Sequence, residues 1–314
     1  MSRATVSYVL NDVPHSRVGA ETRARVLAAA AELGYVPHAP ARSLRAGRSN
    51  LILLPVRGLP SVGPAADYFR ALIAALHRLG YEVIFHADRE EREVDAPRAW
   101  ASLRPAGIIV EADRLTPAAL DTLRSAGMRA ILAVGPTPSP LAPTLVVDHA
   151  AVGSCAVSYL TAMGYRRIAA IVPRDGWRRE IGEAQLRGID RLLDLEVERV
   201  DLAFDDGEAA RLAACWADGA HPSAVFTHND EYGMLLLRAL LDAGIAVPGR
   251  IALIGADDLP LCSLVRPRLT SIHLDVAPSA ERVSRLLHSM IGGSDPEIAA
   301  VELLRPRVVP REST

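Results

Sequence analysis

The sequence predicts an α/β protein, a two-lobed body of parallel sheets preceded by a small all-α head. Three observations predict it. From residue 51 onward, short apolar runs alternate with helical stretches, the pattern of parallel sheets covered by helices on both faces. About nine or ten candidate strands occur, too many for one tidy sheet of this type, so the body divides into two lobes. The first 50 residues lack such runs; they read as short helices and carry seven arginines against Asp12, Glu21 and Glu32, a net of +4.

Taken in order, the head opens with SRATVSYVLN. Ser2 is a good N-cap, and Val6, Val9 and Leu10 form one apolar face, while Arg3 with Ser7 and Ala4 with Tyr8 are i, i+4 pairs on other faces. After a loop, GAETRARVLAAAAELGY is a second helix between Gly19 and Gly34, with Val26, Ala29, Ala30 and Leu33 on its buried side. ARSLRAG, behind Pro37 and Pro40, is a brief third helix, because proline is tolerated in a first helical turn. In the body, LILLPV (51–56) leads to a helix around 66–79 whose Phe69, Leu72, Ile73 and Leu76 make one buried stripe. Strands follow at YEVIF (81–85), GIIV (107–110) and AILAV (130–134), then at RIAAIV (167–172), VERVDL (197–202), AVFTHN (224–229) and RIALIG (250–255). RLGYEVIF, SAGMRAIL and AMGYRRIAAI each join a helix end, a glycine and the next strand; glycine past the last turn takes the left-handed conformation at little cost. The chain crosses between lobes near residues 146–149 and returns near 274–275.

Half the residues are hydrophobic but only 4% are aromatic, so the core is built from Ala, Val, Leu and Ile. No apolar run reaches the ~20 residues that span a bilayer, and the N-terminus has no apolar signal segment. A soluble, cytoplasmic protein with no membrane partner is the expectation. Cys155, Cys215 and Cys262 sit far apart and support neither a disulfide framework nor a zinc site. All 35 basic residues are arginine, which points to a GC-rich genome. Residues 51–314 hold 28 arginines and 34 acids, and a basic head on an acidic body suggests that the head meets a polyanion. No GxGxxG follows a strand, and neither GxxxxGK[ST] nor GxSxG occurs, so no enzyme and no cofactor are expected. His228, Asp230, Asp257 and Asp258 lack a second histidine at ligand spacing, so no metal is expected either.

TVSYVLN, TRARVLAAAAELGYVP and ARSLRAGRSN resemble the DNA-binding head and hinge of LacI/GalR-type bacterial transcriptional regulators. AVFTHNDEYGMLLLRALLDAGIAVPGRIALIGADD, RPRLTSIHLD and RPRVVPREST carry the resemblance through essentially the whole chain. It implies a partial helix-turn-helix head at 1–37, a hinge helix and linker at 38–49, and a periplasmic-binding-protein-like effector-binding and dimerisation body at 50–314. Lobe 1 would take about 50–147 and 275–303, and lobe 2 about 148–274 and 304–314. In that family the helix matching residues 2–10 enters the major groove, which puts Arg3, Ala4 and Tyr8 at base edges and Thr5, Ser7 and Asn11 on phosphates. Leu44 would wedge into a minor-groove step beside Ala41 and Arg42, with packing on the body as the alternative.

For the body the resemblance implies a small-molecule effector, sugar or polyol, held by Arg57, Asn229, Asp230 and Asp257. Trp177 and Phe204 would be apolar walls, with core packing the alternative for either ring, and Asp258 a capping or turning residue. The family usually carries Arg where Gln185 stands, three residues before Gly188. Gln is a neutral donor and acceptor, so the effector is expected to lack a carboxylate or phosphate at that point. The function implied is a repressor, a homodimer reading a near-palindromic operator under effector control. The family's first helix and turn would precede residue 2, and Gly-Val-Ser is common where this chain has Met1-Ser2. The expectation is that Met1 is an internal GTG valine codon read as a start. The alternative is a true truncation, leaving a small-molecule sensor without DNA binding.

Overall fold

The structure, a computed structural model, describes residues 2–10, 18–35, 49–56, 62–87, 96–174, 176–192, 196–294, 300–302 and 305–314, apart from the side chains of Arg3, Ser7 and Trp177. It divides into two compact units, residues 1–50 and 51–314.

In the first unit, α1 (Arg3–Leu10) packs on α2 (Ala20–Glu32). Ser2 caps α1, its Oγ accepting the Thr5 N–H at 3.1 Å. Val9 and Val26 are the residues buried between the helices. The wider apolar side read for α2 is not formed: Ala30 is half-buried, Ala29 is exposed and Leu33 is 81% exposed. Within this unit α2 has one described helix to pack against, and a helix of this length buries only the stripe its neighbour covers.

The second unit holds two six-stranded sheets. The first is ordered β11-β5-β4-β3-β1-β2, from β1 (Leu51–Val56), β2 (Glu82–Ala87), β3 (Gly107–Glu111), β4 (Ala130–Gly135), β5 (Thr144–Val146) and β11 (Ala300–Glu302), all parallel. The second is ordered β12-β10-β9-β8-β6-β7, from β6 (Ile168–Pro173), β7 (Val197–Leu202), β8 (Ala224–Phe226), β9 (Ala252–Ala256), β10 (Thr270–Leu274) and β12 (Pro306–Val309). Here β12 alone runs antiparallel, against β10. The chain passes from the first sheet to the second after β5, returns after β10, and ends in the second.

Helices cover both faces. On the first sheet, α3 (Gly63–Arg78) packs with α10 (Ala277–Ile291), and α4 (Ala96–Ser102) with α5 (Pro117–Ser125). On the second, α6 (His149–Ala162) packs with α7 (Gly176–Ile189), and α8 (Asp206–Asp218) with α9 (Asp230–Asp242). The stripe on α3 is Tyr68, Leu72, Ala75 and Leu76, with Phe69 and Ile73 half-buried, so the helix is turned slightly from the face expected. One core runs from α3 and α10 through both sheets to α6. Separate cores fill the outer faces, around Trp100 and Leu123 in one lobe and Trp216 and Leu236 in the other.

Caps and turns follow the sequence closely. Gly80, Gly127 and Gly164, in the three recurring phrases, all have positive φ and end α3, α5 and α6. Asp148 caps α6 and Asp205 caps α8. β8 is shorter than read, stopping at Phe226 because Thr227 turns its hydroxyl onto the Asn229 carbonyl. β2 and β7 are partly exposed, unlike the central strands, because each is the edge of its sheet among the described residues. Among the described residues no helix is long and apolar enough to cross a membrane.

Candidate functional site

In open parallel sheets ligands sit beyond the carboxyl ends of the strands, and in the second lobe those ends gather most of the polar residues singled out above. Asn229 is the N-cap of α9, its side chain accepting the Tyr232 N–H at 3.1 Å. Asp230 follows and is fully buried. Its Oδ1 accepts from the Ser271 hydroxyl at 2.6 Å and its Oδ2 from the Leu259 N–H at 2.8 Å. Burial raises its carboxyl to about 6, against the pull of those two donors. Asp230, expected to hold an effector, here ties α9 to the β9 corner. Gly255 lies against it, and a Cβ there would stand 2.2 Å from Asp230 Oδ1.

The corner after β9 is unusual. Asp257 has φ of 101° and Asp258 φ of 52°, two successive non-glycine residues in the left-handed region. Asp258 is held on every side: its N–H donates to Ser271 Oγ at 3.0 Å, Arg311 grips Oδ1, and His273 Nδ1 lies 3.0 Å from Oδ2. The turning role read for it is what this geometry performs. The Asp257 carboxyl accepts no hydrogen bond among the described residues, while its N–H donates to the Ile272 carbonyl at 2.9 Å. Burial, then the charges of Asp230 and Glu231, raise it to about 7. It faces the other lobe: a Cβ on Gly63, at the start of α3, would lie 4.0 Å from Asp257 Oδ2 and 3.7 Å from Leu259. The carboxyl end of β9 and the helix that follows β1 therefore meet across the body.

Gln185 lies deeper. Its Nε2 donates to the His228 carbonyl at 3.0 Å, so its Oε1 is an acceptor, and His228 Nδ1, 3.1 Å away, carries the proton. The amide expected to meet an effector is thus bonded to His228 through both its nitrogen and its oxygen, with 4% of the residue exposed. Burial, with His149 and Arg178 nearby, lowers the His228 imidazole to about 3. Burial likewise lowers His149, at the start of α6, to about 4 despite Asp148 beside it. Both rings are neutral at pH 7. Close helix packing sets this arrangement: a Cβ on Gly153 of α6 would stand 2.1 Å from the Gln185 carbonyl oxygen, and one on Gly188 of α7 1.9 Å from that of Ala150.

Phe204, in the loop after β7, is 54% exposed and tilts over Tyr232 at 5.3 Å between ring centres. It stands at the strand ends rather than in the core. Arg57 and the side chain of Trp177 lie outside the described residues. On α1, Ala4 and Tyr8 are exposed and Thr5 is half-buried, bonded to Ser2. The side chains of Arg3 and Ser7, and all of Asn11, Ala41, Arg42 and Leu44, lie outside the described residues. His149 and Arg311 are residues that sequence reasoning passed over, and it weighed His228 only as a metal candidate. The signal for His228 was its place directly before Asn229-Asp230, and for Arg311 its place in the terminal REST.

Comparison with known proteins decides the family. Residues 157–314 match the periplasmic binding protein-like domain, and residues 1–38 match the bacterial regulatory proteins of the lacI family. The chain belongs to the LacI family. Among LacI-family relatives, it is 27% identical to the HTH-type transcriptional repressor PurR of Pasteurella multocida over 100% of this chain and 95% of that protein. It is 27% identical to the HTH-type transcriptional regulator GntR of Pseudomonas aeruginosa, over 100% and 92%. In fold it is similar to the lac repressor dimer bound to operator and the anti-inducer ONPF, with a TM-score of 0.76 and 23% identity over 100% of this chain and 95% of that one. These relatives are transcriptional regulators, and they give no support to the sensor alternative.

Proposed function

We propose that this LacI-family chain is a repressor that binds a near-palindromic operator as a homodimer and is controlled by a small neutral effector, sugar or polyol, in the interlobe cleft. The observation that carries the reading is the joining, in one chain, of a lacI-family head at 1–38 to a two-sheet body whose matched half contains Asp257, a carboxylate without a hydrogen bond among the described residues. In this reading Arg3, Ala4 and Tyr8 meet base edges, Thr5, Ser7 and Asn11 meet phosphates, and Leu44, with Ala41 and Arg42, enters the minor groove. In the same reading Asp257 accepts the effector's hydroxyls, Asn229 and Arg57 contribute further polar contacts, and Phe204 and Trp177 are its apolar walls.

Gln185 supports a neutral effector by a route other than direct contact. It carries no charge itself, and burial keeps His228 beside it uncharged, so neither side chain offers an anionic group a cation to offset its desolvation. Effector binding shifts the lobes only by its differential affinity for their two arrangements. The test is fluorescence anisotropy with duplex DNA from upstream of the chain's own operon. Wild type should bind with an affinity that falls steeply with salt, and Arg3→Ala should lose about 1–3 kcal/mol and relax the sequence preference. No binding to that DNA, or binding indifferent to salt, would contradict the reading.

A further inference from the structure

The terminal REST is the motif that the proposed function leaves unused, and the structure gives it a place. Arg311 reaches back along β10: its N–H donates to Thr270 Oγ1 at 2.8 Å, its Nη1 to the Leu269 carbonyl at 2.9 Å, and its Nη2 to Asp258. Ser313 is fully buried, donating to the Leu253 carbonyl at 2.6 Å and accepting the Thr270 N–H at 2.8 Å. Glu312 closes on Arg268. The segment is thereby fixed to the strands that carry the corner, and its arginine is 16% exposed at the side chain, shielded enough for a firm ion pair. His273, on β10, completes the grip on Asp258.

We propose that Arg311 and His273 are positioning residues, which hold Asp258 so that the two-residue left-handed corner turns the Asp257 carboxyl toward Gly63 of the first lobe. A pair of non-glycine residues in this conformation persists only where the surroundings over-determine it. Here the constraints are all on Asp258 and its neighbours, since Leu259 N–H is fixed by Asp230 and Asp258 N–H by Ser271. Among the described residues Asp257 itself has only its backbone N–H bonded. Release of Asp258 lets the corner relax to ordinary backbone angles and lets the Asp257 carboxyl swing out to water. The inference rests on Asp257 being the effector-facing carboxylate only for its purpose, not for its geometry.

The sign of one measurement separates positioning from other roles. In the full chain, the 13C carboxyl signal of Asp257, assigned with Asp257→Asn, should titrate near 7 in wild type. In Arg311→Met the midpoint should fall toward the ordinary carboxylate range of about 4, because the carboxyl gains water. A nearby cation merely lost would push the midpoint up instead, and a merely structural arginine would lower the melting temperature without moving it; either result overturns the proposal. Arg311→Lys, which keeps the charge but not the fork, is read in the same way if Arg311→Met fails to fold, and should also shift down. His273→Leu should give a smaller shift of the same sign. The readout needs no effector and no DNA, so its failure is distinct from failure of the repressor reading.

Discussion

Asp257 concentrates two costs on one side chain, a left-handed backbone and a half-buried carboxyl that accepts no hydrogen bond among the described residues. Because its folded value lies above its unfolded one, the folded chain binds this proton more tightly, and the associated stability is lost as pH rises from about 4 to 7. Asp257→Gly removes both costs. It should raise the unfolding free energy at pH 8 by about 1–3 kcal/mol, with the gain shrinking toward pH 4 as the wild-type carboxyl protonates; denaturant titrations at the two pH values check this. Gln185→Leu should act in the opposite direction. It leaves the His228 N–H and carbonyl without partners, at about 1–3 kcal/mol, in the same assay. The Asn-Asp and Asp-Asp pairs were legible as special in the sequence, but not their division of labour. Which aspartate faces solvent depends on Ser271, Leu259 and Arg311, contacts across 29 to 53 residues that no local pattern encodes.

At the scale of elements, the α6–α7 crossing places Gln185 against His228. Gly153 and Gly188 let the two backbones approach so closely that Gly188→Ala cannot be absorbed by side-chain movement, since the obstacle is the Ala150 carbonyl. It should cost about 1–3 kcal/mol and displace His228, visible as a changed imidazole shift in NMR. The long central strands and the glycine-ended helices were readable because hydrophobic run and left-handed cap are local signals. β5, β10, β11 and β12 were not set out as strands. β5 and β11 have only three residues each, too short for a periodicity, and β12 is an antiparallel edge whose place depends on its register with β10. The buried side of α2 was over-read for a related reason: an apolar spacing says which face can be buried, while a partner decides how much is.

At the scale of the whole molecule, two histidines and two aspartates of the second lobe are shifted in opposing senses. His149 and His228 are lowered to about 4 and about 3, so their contribution is lost as pH falls below about 6.5, when the unfolded chain takes up protons first. Asp230 and Asp257 are raised and act the other way over an overlapping range. The four contributions largely cancel between about pH 4 and 6. In a His149→Asn/His228→Asn variant, stability should fall with rising pH across that range relative to wild type, by about 2–3 kcal/mol per unit for the two groups together; an unchanged slope would contradict the assignment.

The central claim is that the chain reads DNA. Selection of bound sequences from random duplex, followed by anisotropy on the enriched site at increasing salt, tests it most directly. The account predicts enrichment of a near-palindrome with half-sites about one helical turn apart, and an affinity that falls by roughly a thousandfold or more between 50 and 200 mM salt. Recovery of no sequence above the random background, or an affinity that salt leaves unchanged, would contradict it.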